Sequence, residues 1–158
     1  MILSDVDGVL TDGRLIFNGN GDEIKAFHAL DGLGIRIWKE KGNRFGIVTF
    51  RSTEVVRRRA EELRVDELFQ GIRSKVDVLD TLCEKYGLTP DEVAFIGDDL
   101  VDYRIMQKVG FSAAPANAVD EIREIATLVT RRSGGNGAVR EVIETLLRLR
   151  GEWNDFGF

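Results

Sequence analysis

Short apolar runs alternate with amphipathic stretches along most of the chain, joined by polar or glycine-bearing turns. Met1-Ile2-Leu3-Ser4-Asp5 runs apolar into carboxylates, Phe45-Gly46-Ile47-Val48-Thr49 ends in a hydroxyl, and Val93-Ala94-Phe95-Ile96 leads into Gly97-Asp98-Asp99. Further short runs occur near 67–69, 111–114 and 128–130. Between them, apolar positions recur at helical spacing. Ile35, Ile37 and Trp38 follow Asp31-Gly32, while Val55, Val56, Ala60 and Leu63 follow Ser52, which suits an N-cap. Ser74 to Asp77 has capping-box spacing, with aspartate in place of the stronger glutamate. Helical patterns over 100–109, 119–126 and 138–149 complete the set. Strands alternating with helices predict a Rossmann-like, doubly wound α/β fold, with a parallel sheet covered on both faces. The expected organisation is a single domain over 1–158.

One segment breaks this rhythm. Arg14-Leu15-Ile16-Phe17, then Asn18-Gly19-Asn20-Gly21, then Glu23-Ile24-Lys25-Ala26-Phe27 reads as a β-hairpin inserted after the first strand, with the Asn-Gly pairs supplying positive φ angles. The aromatic tail from Gly151 to Phe158 lacks helical spacing and is expected either to fray or to dock. Only four residues precede Asp5, so the first strand is expected to be brief.

Composition narrows the classes. The 158 residues are 43% hydrophobic and 31% charged, with a formal net charge of −5. An acidic chain offers no electrostatic reason to bind nucleic acid or an anionic membrane. The single cysteine, Cys83, lies in the stripe Leu79, Leu82, Cys83, Tyr86 and reads as a small core residue. No apolar run reaches membrane-spanning length and no leader pattern precedes the first motif, so the expected compartment is the cytoplasm.

Candidate chemistry gathers at the ends of the apolar runs. In Asp5-Val6-Asp7-Gly8, two carboxylates stand one residue apart where a strand gives way to a turn, and the turn can aim both into the crevice at the sheet's carboxyl edge. Gly8 lets the backbone approach an anion closely. One carboxylate can serve as nucleophile and the other as general acid and base. By itself the pattern also suits a calcium loop or a plain turn.

The wider context resolves that ambiguity. Asp5-Val6-Asp7-Gly8-Val9-Leu10-Thr11-Asp12-Gly13 resembles the first motif of the haloacid dehalogenase superfamily. Val48-Thr49, Lys75 at a helix start, and Gly97-Asp98-Asp99-Leu100-Val101-Asp102 resemble the other three, in order. The resemblance implies a phosphatase that forms an aspartyl-phosphate on Asp5, with Asp7 as acid and base. Mg²⁺ would be held by Asp5, the backbone carbonyl of Asp7, and Asp98, with Asp99 and Asp102 ordering its waters. Thr49 and Lys75 would hold phosphoryl oxygens, Lys75 also offsetting the excess of carboxylates. The gaps after the first and second motifs leave no room for a cap domain.

The opening motif, the hairpin, Lys25-Ala26-Phe27, Asp31-Gly32-Leu33-Gly34 and Gly134 to Glu141 together resemble the 3-deoxy-D-manno-octulosonate 8-phosphate phosphatases. That resemblance implies a sugar-acid phosphate substrate, a role in making lipopolysaccharide, and a homotetramer whose hairpins form a barrel and whose neighbouring subunits complete each site. By analogy Arg51, Arg59 and Arg132 are candidate substrate contacts, with Gly8 and Phe50 in the binding loops. Arginine suits a carboxylate because its planar fork bonds both oxygens. His28 is expected to be a hairpin residue, and Arg57 and Arg58 a solvated face. Phe50 stands where that family has glycine, which puts the shape of the pocket and the course of Arg51 in question. Three alternatives stay open: a phosphatase for nine-carbon sugar-acid 9-phosphates, whose motif resembles Thr53 to Glu61; a non-catalytic assembly module; and a receiver domain.

Overall fold

The structure, a computed structural model, describes residues 1–153 and 156. After β1 (Ile2–Ser4) the chain makes a short excursion through β2 (Ile16–Phe17) and β3 (Glu23–Ile24). It then alternates through α1 (Ala29–Glu40), β4 (Phe45–Val48), α2 (Glu54–Leu63), β5 (Glu67–Phe69), α3 (Lys75–Tyr86), β6 (Ala94–Ile96) and α4 (Tyr103–Met106). β7 (Phe111–Ala114), α5 (Asp120–Ile125), β8 (Leu128–Val129) and α6 (Ala138–Leu149) follow.

Six strands form one parallel sheet in the order β5-β4-β1-β6-β7-β8, while β2 and β3 pair with each other. The chain winds outward from β1 through β4 to β5, returns to the other side of β1, and winds through β6 and β7 to β8. The direction of winding therefore reverses at β1. The carboxyl ends of β1, β4 and β6 become neighbours there, which is where doubly wound sheets bind ligands. Among the described residues only the hairpin separates β1 from α1, and only α2 and β5 separate β4 from α3, so the crevice has no cap domain over it.

Alternation along the strands sorts the core into two layers. Ile2, Phe45, Ile47 and Ile96 face α1, α2 and α6, joining Ile35, Trp38, Val56, Val142 and Leu147. Leu3, Val48, Phe95 and Ala114 face the other way, onto Leu79, Leu82, Ile105 and Ile122 of α3, α4 and α5. No helix among the described residues is long and apolar enough to cross a membrane.

Several local features depart from expectation. α1 begins before Asp31-Gly32, because His28 serves as its N-cap and accepts a hydrogen bond from the Leu30 N–H at Nδ1 (3.1 Å). Thr53, not Ser52, caps α2, accepting from the Val56 N–H (3.4 Å). The stretch after Asp99 opens as a 3₁₀ turn over Leu100–Asp102 before α4, so the helix there is much shorter than its apolar pattern suggests. The hairpin pairs only Ile16 with Ile24 and Phe17 with Glu23. Its five-residue loop is closed by the Asn18 side chain, which accepts from the N–H groups of Asn20 and Asp22 (2.9 Å each), and only Gly21 of the two expected glycines takes a positive φ. Cys83 is half-buried, and burial pushes its thiol up. Trp153 packs against the first layer beneath Arg140 and meets Phe156 edge-on at 4.8 Å. The remainder of the expected tail, residues 154, 155, 157 and 158, lies outside the described residues.

One contact fixes the relative placement of α1 and α6. Asp31 is 1% exposed, and its carboxylate accepts from the N–H groups of Gly137 (3.2 Å) and Arg140 (2.8 Å), at the N-terminus of α6. A helix on one side of the core is thus capped by a side chain from its neighbour. Asp31→Ala leaves those donors without partners and is expected to lower the free energy of unfolding by about 2–3 kcal/mol, as read from urea denaturation.

Candidate functional site

The site assembles at the carboxyl edge around β1. The Asp5 N–H donates to the Ile96 carbonyl (3.0 Å), extending the pairing with β6 by one residue, and the chain then turns tightly, with the N–H groups of Val9, Leu10 and Thr11 all donating to the Val6 carbonyl. This turn is what allows Asp5 and Asp7, which an extended strand would aim oppositely, to line one pocket. That pocket is an open cavity of about 330 Å³, also lined by Thr49, Phe50, Arg51, Asp98, Asp99, Gly13 and Val101.

Asp5 is 7% exposed. Its Oδ1 accepts from the Val6 N–H (2.7 Å), and its Oδ2 lies 2.9 Å from the Lys75 ammonium. Lys75 opens α3 just after Ser74, whose hydroxyl accepts from the Asp77 N–H (3.2 Å). Its buried ammonium also reaches Asp102 Oδ1 (2.5 Å) and sits between the rings of Phe50 and Phe95, 5.3 and 5.5 Å from their centroids. Phe50 therefore covers the lysine and forms part of the pocket wall, while Arg51 keeps its place in that wall. Thr49 is buried at the end of β4, its hydroxyl accepting from the Arg51 N–H (3.3 Å).

The fourth motif folds around Asp102, which is fully buried and accepts from the Asp98 N–H at Oδ2 (3.0 Å). Asp98 Oδ1 is buried and has no hydrogen-bond partner among the described residues. Asp5, Asp98 and Asp102 each present an oxygen within 4.8 Å of the others, the arrangement a small cation needs. Asp102, expected to order waters around the ion, is turned inward by the 3₁₀ turn and stands beside Asp5 and Asp98. Asp99 takes the opposite course: it is exposed on the pocket rim, and its carboxylate accepts from the Leu100 N–H (2.7 Å). Gly8 is held against Asp98. Its φ is +83°, and a Cβ there would fall 1.9 Å from Asp98 Oδ2, so a side chain would displace the carboxylate.

Three carboxylates share one ammonium in a desolvated pocket. Burial, reinforced by the charges of Asp5, Asp102 and Asp99, pushes Asp98 up to about 7. Burial also raises Asp5, although Lys75 opposes the shift. Lys75 thus offsets only part of the charge that the three carboxylates would carry.

Asp7 belongs to a second network. Its Oδ1 is paired with the Lys25 ammonium, and its Oδ2 lies 3.5 Å from Arg51 Nε. Lys25 also contacts Glu23 Oε1 (2.8 Å), and Arg51 bonds Glu23 Oε2 (2.9 Å). Four alternating charges thereby close a ring linking the β1 turn, the hairpin and the loop after β4. Burial raises Glu23, but hydrogen bonds from Lys25 and Arg51 outweigh it and hold the carboxyl below its usual range. The same bond to Glu23 raises Arg51.

The chain does not bring Arg59 or Arg132 to this pocket. Arg59 is engaged by Glu62 (2.8 Å) and lies over the Phe27 ring, and Arg132 packs against Gly137 at the start of α6. Arg57 and Arg58 pair with Glu54 on the exposed face of α2, as expected. Sequence reasoning missed the roles of Lys25 and Glu23, for which the hairpin pattern held no charge signal. It also missed Asn117, which donates to the Gly8 carbonyl (3.1 Å) and accepts from the Gly134 N–H (2.6 Å). A lone asparagine carries no signal of that kind.

The chain is similar to known proteins along nearly its whole length. Residues 67–143 match the family model described as haloacid dehalogenase-like hydrolase. The 3-deoxy-D-manno-octulosonate 8-phosphate phosphatase of Escherichia coli strain K12 is 41% identical over 155 residues, covering 98% of this chain and 82% of that protein. The crystal structure of the corresponding phosphatase from Moraxella catarrhalis, in complex with a magnesium ion, a phosphate ion and KDO, has a TM-score of 0.94 at 39% identity, covering 97% of this chain and 88% of that one. The cobalt-bound phosphatase from Haemophilus influenzae has a TM-score of 0.93 at 34% identity, covering 99% and 92%.

The raised Asp98 sets a sign for stability. Between its unfolded value of 3.8 and about 7, the folded protein holds a proton that the unfolded chain has released. Stability in chelator is therefore expected to fall as pH rises through that window and to level off above it. Melting temperatures measured in chelator at pH 5 and pH 8 are expected to drop more for the wild type than for Asp98→Asn.

Proposed function

This chain belongs to the haloacid dehalogenase-like hydrolases, and we propose that it is a magnesium-dependent phosphatase. Its proposed reaction converts 3-deoxy-D-manno-octulosonate 8-phosphate to the free sugar acid and phosphate. The observation that carries this reading is the Asp5 carboxylate, held by Lys75 at the floor of an open pocket beside a second, separately held carboxylate on Asp7.

The residues present suit magnesium. All donors in the cluster are hard oxygens, and the orphaned Asp98 Oδ1 is a buried acceptor that a cation would satisfy. Asp5, Asp98 and Asp102 would hold the ion through their side chains, together with the backbone carbonyl of Asp7. When bound, it supplies the positive charge that lets an anionic nucleophile approach an anionic ester.

In the first step an Asp5 oxygen attacks phosphorus, the bond from phosphorus to the ester oxygen breaks, and Asp7 donates its proton to the departing alkoxide. Lys75 and Thr49 steady the phosphoryl oxygens. In the second step Asp7, now a carboxylate, takes a proton from water as that water attacks phosphorus, which releases phosphate and regenerates Asp5. Arg51, in the pocket wall with a side chain 40% exposed, is the cation available to a sugar-acid carboxylate.

Asp5→Asn is expected to reduce kcat by at least about 10³-fold with an unchanged circular dichroism spectrum, and chelation is expected to silence the wild type without unfolding it. A panel of eight- and nine-carbon sugar-acid phosphates assayed with magnesium tests the substrate, with the highest kcat/KM expected for the eight-carbon ester. A preference for the nine-carbon ester would overturn the assignment.

The hairpin presents Leu15, Ile16, Phe17 and Ile24, each 45–58% exposed, on a two-stranded ribbon too small to be stable alone. These residues support a homotetramer built by packing hairpins together, with a neighbour completing each open site. Light scattering at micromolar concentration is expected to give four times the chain mass, and Phe17→Asp to shift it toward the monomer.

A further inference from the structure

We propose that Lys25 is a positioning residue for catalysis, holding the Asp7 carboxyl against the leaving oxygen, with Glu23 as its counter-ion. The Lys25 side chain is 1% exposed and contributes nothing to the pocket wall. The charged groups that meet its ammonium are the carboxylates of Asp7 and Glu23. A lysine this deeply buried is retained only where its charge is matched, and here the match falls on the acid and base of the reaction.

The two cations that hold Asp7 are not equivalent. Arg51 takes Oδ2 at 3.5 Å with a side chain 40% exposed, and it lines the cavity, so an anionic substrate competes for it. Lys25 takes Oδ1 from behind, out of reach of substrate. When Arg51 turns to a bound anion, the phosphoryl group of a simple ester included, Lys25 is the contact that still sets the plane of the Asp7 carboxyl. Glu23 keeps the ring closed by bonding Lys25 through one oxygen and Arg51 through the other. The hairpin, remote from the sheet, thereby reaches the chemistry through β3 and the residue that follows it.

This inference rests on Asp7 protonating the leaving oxygen, so the experiment runs Asp7→Ala beside Lys25→Met. Phenyl phosphate and p-nitrophenyl phosphate are nearly the same shape, but the first expels a basic oxygen that needs a proton and the second does not. Lys25→Met is expected to lower kcat about 10²-fold on phenyl phosphate and less than about 3-fold on p-nitrophenyl phosphate, with KM little changed and Lys25→Arg recovering most of the loss. Equal losses on both esters, or no loss on phenyl phosphate, would overturn the proposal. If Asp7→Ala itself shows no contrast between the esters, the reading of Asp7 fails. If Asp7→Ala shows the contrast and Lys25→Met does not, only the positioning role fails. Should Lys25→Met not fold by circular dichroism, Glu23→Gln decides: a smaller contrast of the same sign supports the proposal, and none refutes it.

Discussion

Crowding of like charge around a single buried ammonium is the constraint from which the rest of the molecule follows. Asp5, Asp98 and Asp102 converge within 4.8 Å, and among the described residues Lys75 is the cation that pairs with them, through Asp5 and Asp102. Such a cluster is unfavourable for the folded chain alone, because burial removes the water that would otherwise spread the charge. The sheet forces the groups together regardless: they sit at or just beyond the ends of strands that lie side by side where the winding reverses. The two core layers beneath, anchored by residues such as Trp38 and Phe95, resist the relaxation that would separate them.

The neighbouring network has the opposite character. Around Asp7 the charges alternate and balance, whereas Asp5 is held by Lys75 and the Val6 N–H against the repulsion of neighbouring carboxylates. Two aspartates one residue apart thus stand in opposite electrostatic surroundings, the kind of contrast that sets paired carboxylates apart. Gly8 separates the two environments. Its positive φ turns the chain away from Asp7, and its lack of a Cβ lets Asp98 close in from the other side.

Much of this was legible from the residues. Strand ends at Asp5, Thr49 and Asp98, and the helix start at Lys75, could be placed because apolar runs, caps and helical spacing are local signals. The position of Asp102 depends on the 3₁₀ turn over Leu100–Asp102, which brings it beside Asp5 and Asp98 and which the apolar pattern after Asp99 does not announce. Asp31, Lys25 and Asn117 were not legible in these roles, since each acts on a residue brought near only by the fold: Asp31 on Arg140, Lys25 on Asp7, Asn117 on Gly134. Arg59, a candidate substrate contact by resemblance alone, pairs with Glu62 and lies over the Phe27 ring.

The crevice floor and its walls come from different parts of the chain. Asp5, Thr49 and Asp98 stand at or just beyond strand ends, whereas Phe50, Arg51 and the hairpin lie on segments that carry little of the core. A lineage could therefore exchange wall residues, and with them the shape of the pocket, while leaving the groups at the strand ends untouched. Diversification by such peripheral change needs no new scaffold, and it makes kinship in fold a better guide to the reaction performed than to the molecule on which it is performed.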